Sequence, residues 1–177
     1  MEPTLDKLSK EELDLYSRVE AAIGTIEEKS IQLRHDGIYD ANAHIFEEYV
    51  VLAASDSQGL EALKRATFLY WSSVCEPPFV SGLWEFDESF AHKLHTKLEL
   101  IATQGGLDEE FIWMLCHYDR IAEWAFSKDK GFAHVRNLLI KFADVDCLDK
   151  LTDSDFKNRG RMGLYWRSVL EPPLVSL

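Results

Sequence analysis

Hydrophobic residues recur along most of this chain at steps of three and four positions, which is the spacing of an amphipathic helix. The first such stripe covers residues 15–33 and predicts one long helix. Ser9 and Glu12 have the spacing of a capping box and mark its start. Asp36 and Gly37 mark its end, because glycine readily adopts the left-handed conformation of a helix cap.

The rest of the chain repeats this pattern, with a cap or a breaker between successive helical stretches. No stretch alternates polar and apolar residues as a strand does. The sequence therefore predicts an all-α protein of seven or eight amphipathic helices. After the first, they cover residues 38–54, 60–75, 87–104, 108–125 and 131–143, and a last one ends near residue 170.

A thirteen-residue motif occurs twice in the chain. Residues 69–81 read Leu-Tyr-Trp-Ser-Ser-Val-Cys-Glu-Pro-Pro-Phe-Val-Ser, residues 164–176 read Leu-Tyr-Trp-Arg-Ser-Val-Leu-Glu-Pro-Pro-Leu-Val-Ser, and ten positions are identical. A tandem duplication is the economical explanation. We expect two pseudo-repeated three-helix units, residues 1–83 and 84–177, packed as one compact body that resembles a helical repeat. The second unit would carry an insertion around residues 139–160.

The motif itself has the composition of a helix end. Tyrosine and tryptophan bring large apolar rings with one polar atom, and proline ends a helix because it has no amide hydrogen. We therefore expect structural anchors at both copies: Tyr70, Trp71, Pro77, Pro78, Tyr165, Trp166, Pro172 and Pro173. An alternative is that the two Glu-Pro-Pro turns form a paired recognition surface around Glu76 and Glu171.

Composition and charge exclude several classes of protein. The 177 residues are 46% hydrophobic, enough for a globular core, and carry 31 acidic against 19 basic residues, a formal net charge of -12. Nucleic acid is not expected as a partner, because phosphate binding needs an excess of Lys and Arg. Three widely spaced cysteines argue against a disulfide framework. No apolar run approaches the ~20 residues of a membrane span, and no signal peptide is recognisable, so we expect a cytoplasmic protein without a membrane partner.

The charge is unevenly distributed. Residues 35–92 hold ten acidic residues and only two basic ones, whereas four basic residues gather at 157–167. An acidic surface can steer a basic protein partner, and the candidate partner-binding residues are Glu47, Glu48, Asp56, Glu61, Glu76 and Glu171. One alternative is a head-to-tail contact between the acidic middle and the basic C-terminal segment, which would give a homo-oligomer. Another is that the acidity serves solubility alone.

Two sets of polar residues have the helical spacing of a chemical site. Because successive helical residues lie 100° apart, four candidate metal ligands share one stripe of the helix at 87–104: Glu88, His92, His95 and Glu99. Carboxylate and imidazole are metal ligands, but apolar residues on the opposite face favour solvent-exposed Glu–His pairs. The second set is Asp40, His44 and Glu47: Asp40 would orient His44 as a base in one interpretation, but a partly solvated polar face is the favoured one.

No phosphate loop, nucleophile elbow or zinc-protease motif is present, and no cofactor is predicted. The leading hypothesis is therefore a soluble, non-enzymatic helical protein that acts as a protein–protein interaction or regulatory module and masks a basic partner. The alternative is a helical enzyme that binds a metal or cofactor with the Glu/His stripe.

Overall fold

A computed structural model describes residues 4–55, 57–143, 151–152 and 156–170. Within these ranges no residue is in a β-strand, and the predicted all-α class is confirmed. Two short 3-10 helices, Glu123–Phe126 and Lys128–Lys130, lie between the α-helices at Glu109–Ile121 and Ala133–Lys141. The nine α-helices of the described part are α1 (Leu5–Ala21), α2 (Ile26–His35), α3 (Ile38–Leu52), α4 (Gly59–Cys75), α5 (Pro78–Ser81), α6 (Glu88–Thr103), α7 (Glu109–Ile121), α8 (Ala133–Lys141) and α9 (Gly160–Leu170).

The prediction of a single long helix at the start of the chain is wrong, because α1 and α2 are separate helices. Gly24 between them has a φ of 118°, in the left-handed region that favours glycine. Thr25 then caps α2 with a capping box: its Oγ1 accepts the amide of Glu28 at 3.3 Å, and Glu28 Oε2 accepts the amide of Thr25 at 2.7 Å.

The capping box expected at Ser9 and Glu12 is also wrong. The helix begins four residues earlier, and the Thr4 side chain accepts the amide of Lys7 as its cap. Ser9 Oγ instead donates to the carbonyl of Leu5 at 2.7 Å. Ser9 and Glu12 therefore lie inside α1, and both are buried.

The core is built around α4, which is buried at every position from 62 to 72. Helix α3 packs along α4, α1 packs against α3 and α9, and α6 packs against α8. Aromatic rings fill much of the interior, and five of the largest fully buried side chains are Trp166, Tyr49, Tyr118, Phe46 and Phe111. Among the described helices, none has both the length and the apolar character needed to cross a membrane.

The two copies of the repeated motif meet at α7. Trp71 and Trp166 are 2% and 0% exposed, so the burial expected of both indoles is found. Trp71 Nε1 donates to the backbone carbonyl of Tyr118 at 3.1 Å, and Trp166 Nε1 donates to the Tyr118 hydroxyl at 2.8 Å. The ring of Tyr165 lies 5.2 Å from the ring of Trp71. One buried tyrosine thus satisfies the polar atom of both tryptophans.

Around these anchors, part of the predicted motif lies outside the described residues. Helix α4 ends at Cys75, just before Glu76-Pro77, and Pro78 begins α5. Glu171, Pro172 and Pro173 are not among the described residues. The division into units 1–83 and 84–177, with its insertion around 139–160, stays a prediction.

Candidate functional site

The first three candidate metal ligands on α6 do not share one environment. Glu88 and His92 are exposed to solvent. His95 is half-buried, and its ring lies 4.8 Å from the ring of Tyr70 and 4.5 Å from that of Phe132. Burial, helped by a nearby lysine charge, lowers the pKa of His95 to about 4, so the imidazole is neutral at neutral pH.

Glu99, the fourth candidate, caps the start of α8 instead. Its carboxylate accepts the backbone amide of Val135 at 3.1 Å and contacts His134 Nδ1 at 2.7 Å. The first amides of a helix lack intrahelical partners, so a carboxylate is favourable there. The prediction of solvent-exposed Glu–His pairs along α6 is therefore wrong for His95 and Glu99, because both side chains contact residues outside α6. Across the described ranges, no group of three or more His, Cys, Asp and Glu side chains could hold a metal ion.

The second candidate set, on α3, forms a partly solvated polar face, with Asp40 and His44 exposed and Glu47 half-buried. His44 is exposed, and its Nε2 lies 3.8 Å from Glu48 Oε1, one turn along the helix. The side-chain contact of His44 is thus with Glu48, and no hydrogen bond between His44 and Asp40 is formed. Glu47 and Glu48, two of the candidate partner-binding residues, are half-buried rather than fully exposed.

Glu61, a further partner-binding candidate, belongs to an internal ion cluster. Arg159 Nε donates to Glu61 Oε1 at 2.9 Å, and its Nη2 contacts the other oxygen. The same guanidinium donates to Glu110 at 2.8 and 2.9 Å, and Arg65 Nε donates to Glu61 at 2.7 Å. Glu61 is therefore not available to a partner. Asp56 and Glu171 lie outside the described residues.

The two basic residues of the acidic middle, Lys64 and Arg65, are also part of this cluster. Lys64 Nζ donates to Asp108 at 2.7 Å and to Glu110 at 2.6 Å, although its own side chain is only 6% exposed. The acidic middle and the basic C-terminal segment thus face each other within one chain. The charge pairing that suggested a head-to-tail homo-oligomer is already made internally at Arg159.

A pocket with acidic and aromatic walls lies where the first copy of the motif meets the start of α6. Its volume is about 400 Å³, and it is lined by Tyr70, Ser73, Val74, Pro78, Trp84, Glu85, Phe86, Glu88 and Ala91. Trp84 is 42% exposed, and Glu85 and Glu88 are exposed beside it. We call this the acidic aromatic pocket.

The rings of the acidic aromatic pocket are held by the core behind them. Phe86 stacks on Phe46 with ring centroids 4.0 Å apart. Two of the rings also attract cations of the chain itself: the Arg34 guanidinium lies 5.2 Å from the Trp84 ring, and Lys130 Nζ lies 5.8 Å from the Tyr70 ring. Both distances are typical of cation–π contacts, so two of the rings at this corner already have a cation of the chain itself as a neighbour.

Sequence reasoning found part of this pocket for other reasons. Tyr70 and Pro78 were expected as structural anchors and Glu88 as a metal ligand, and all three line it. Trp84, Glu85 and Phe86 were not predicted to belong to a functional site. The available pattern was the alternation of aromatic and acidic residues in Trp-Glu-Phe-Asp-Glu at 84–88.

Comparison of the chain with protein-family models, curated proteins and solved structures finds no match. Function therefore has to be inferred from the side chains and their geometry.

Proposed function

We propose that the protein is a non-enzymatic interaction module whose acidic aromatic pocket receives a lysine or arginine side chain of a partner protein. The observation that carries this proposal is the half-exposed Trp84 flanked by two exposed carboxylates, Glu85 and Glu88, at a concave site. Aromatic residues are enriched at the energetic centres of protein interfaces. The carboxylates set the sign of the charge that the pocket selects.

The expected binding energy has two sources. A cation over an aromatic face gains about 0.5–2 kcal/mol, depending on how far it is desolvated. The two carboxylates add charge-assisted hydrogen bonds, which are roughly twice as strong as neutral ones. The net charge of -12 would mainly raise the rate at which a basic partner is encountered, and salt would reduce that effect.

Two peptides with blocked termini, one containing arginine and the other citrulline, test the proposal on the whole protein. Citrulline has the shape of arginine without its charge. We expect the arginine peptide to shift the indole N–H resonance of Trp84 in NMR spectra of labelled protein, and the citrulline peptide to leave it in place. Added salt should weaken the arginine effect.

A pair of double variants identifies the carboxylates that matter. Glu85→Gln with Glu88→Gln should reduce binding of the arginine peptide. The matched control, Glu27→Gln with Glu109→Gln, removes two exposed carboxylates elsewhere and should leave it nearly unchanged. Equal losses in both double variants, or equal shifts with both peptides, would show that the pocket does not recognise a cation.

A further inference from the structure

A second and larger pocket, separate from the acidic aromatic pocket, opens between α1, α4 and α9. Its volume is about 540 Å³, within the range of pockets that hold small molecules. Helix α1 supplies Tyr16 and Glu20, α4 and its C-terminal end supply Phe68 and Glu76, and α9 supplies Arg161. The wall therefore combines two carboxylates, one guanidinium and aromatic rings.

Arg161 is the unusual member of this wall. It is only 5% exposed, and its guanidinium carbon lies 4.6 Å from the ring centre of Tyr16. Its Nη1 atom is buried and has no hydrogen-bond partner among the described residues. An unpaired buried donor on a charged group is costly, and such groups in folded proteins call for a partner. An acceptor on a bound molecule would supply that partner.

The carboxylates in the same pocket decide what kind of molecule carries that acceptor. Arg161 interacts electrostatically with Glu12 behind the pocket and with Glu76 and Glu20 in its wall. The two carboxylates of the wall outweigh the single positive charge of Arg161. A simple anion would therefore meet two negative groups, and a simple cation would leave the Nη1 atom of Arg161 without an acceptor. A molecule that carries one negative and one positive group matches both.

The repeated motif fixes one of these carboxylates in place. Proline disfavours helical backbone in the residue before it, and Glu76, followed by Pro77, has an extended φ of -111° and ψ of 139°. The Glu76 side chain then turns back to accept the hydroxyl of Ser72 at 3.0 Å. The Glu-Pro-Pro turn therefore positions a carboxylate at this pocket.

We infer that this pocket binds a small zwitterion of the amino-acid class, with its carboxylate on Arg161 and its ammonium group toward Glu20 and Glu76. The rings of Tyr16 and Phe68 would contact the ligand's side chain, which favours aromatic or aliphatic amino acids. This inference does not depend on the acidic aromatic pocket.

Isothermal titration calorimetry of the whole chain with the free amino acids of proteins is the test. We expect at least one aromatic or aliphatic amino acid to bind. For phenylalanine the matched analogues are 3-phenylpropanoate, which lacks the ammonium group, and 2-phenylethylamine, which lacks the carboxylate. 2-Phenylethylamine should bind about tenfold more weakly, because the buried Arg161 is left without its acceptor. 3-Phenylpropanoate should also bind more weakly, because no ammonium group offsets the charges of Glu20 and Glu76. Binding of no amino acid, or tighter binding of inorganic phosphate, would overturn the inference.

Variants show whether the binding occurs at this pocket. Arg161→Gln should abolish binding of the amino acid. Because Arg161 is buried and its loss could disturb folding, Glu20→Gln is the second variant: Glu20 is exposed, and its change should weaken phenylalanine but not 3-phenylpropanoate. Glu27→Gln, an exposed carboxylate on α2, is the control. An amino acid that binds Glu20→Gln as tightly as the wild type would contradict the assignment.

Discussion

Glu12 gives the sharpest stability prediction, because it is a carboxyl group inside the protein. It is 1% exposed. Tyr49 donates its hydroxyl to Glu12 Oε2 at 3.1 Å, and the backbone amide of Arg161 also bonds the carboxylate. Burial raises the pKa of Glu12 from 4.5 to about 7, although the charges of Arg161 and Arg65 oppose the rise. We consider the replacement Glu12→Gln, which keeps the shape and removes the titration.

The sign of the effect follows from where the proton is held more tightly. The folded protein keeps the Glu12 proton up to about pH 7, whereas the unfolded chain loses it near 4.5. The stabilisation from this group is therefore complete below pH 4.5 and is lost as the pH rises to about 7. The full shift corresponds to about 3 kcal/mol, of which about 2 kcal/mol falls between about pH 5.5 and about pH 8.

Urea denaturation of wild type and Glu12→Gln across this pH range measures the effect. The free energy of unfolding of the wild type should fall by about 2 kcal/mol relative to the variant from about pH 5.5 to about pH 8. Burial lowers the pKa of both His95 and His117 to about 4, which acts in the opposite direction, but their effects cancel in this difference. Glu11→Gln, at an exposed position of the same helix, is the control. A difference that does not change with pH would refute the shifted titration of Glu12.

Three further predictions, the first with a control variant, concern the free energy of unfolding, measured by chemical denaturation at fixed pH. Trp166→Ala should cost about 3–5 kcal/mol, because it empties a large site in the core. Trp124→Ala, at a side chain that is 58% exposed, should cost under about 0.5 kcal/mol. Arg159→Met should cost about 1–3 kcal/mol, because Glu61 and Glu110 each lose one of their two cationic partners and keep only Arg65 and Lys64. Gly160→Ala should destabilise by more than 1 kcal/mol, because φ is 60° and the new Cβ would overlap the Glu12 carboxylate. A cost for Trp124→Ala equal to that of Trp166→Ala would contradict the assigned burial.

Features of the fold that depend on neighbouring residues were predictable from the sequence. The helices predicted to start at residues 87 and 108 do so, because Asp87 and Asp108 cap α6 and α7 by accepting the amides of Ser89 at 2.9 Å and Phe111 at 2.8 Å. Proline at position 77 ends α4 where predicted. These elements are set within one helical turn, and a sequence pattern records that information directly.

Glu12 shows where such a pattern misleads. Its spacing from Ser9 matches a capping box, yet it also lies four residues after Leu8 and three before Leu15, on the buried side of α1. The spacing from Leu8 and Leu15 determines where Glu12 lies, because these two leucines are on the side of α1 that faces the core. The partners of Glu12 on α3 and α9 were not predictable, since nothing local relates α1 to helices 37 residues and more away in sequence.

Long-range ion pairs were the other feature that sequence could not supply. Arg159 and Glu61 are 98 residues apart, and the uneven charge along the chain showed only that opposite charges were available. Whether they would meet within one molecule or between two depends on how α4 and α9 pack. Their close approach here removes Glu61 from the candidate partner-binding residues, and it removes Arg159 from the basic surface expected to recruit another copy.

The internal pairing also sharpens which partner the outer surface would attract. Three buried or nearly buried cations, Lys64, Arg65 and Arg159, form ion pairs with three carboxylates, those of Glu61, Asp108 and Glu110. Because equal numbers of opposite charges are taken up, the remaining residues still carry the formal excess of -12. Of the four basic residues at 157–167, Arg159 is paired internally and Arg161 is buried, so neither is presented to the acidic face of a second copy. The acidic excess therefore supports the proposal of a basic partner, and the exposed carboxylates beside Trp84 are where the proposed attraction would act most directly.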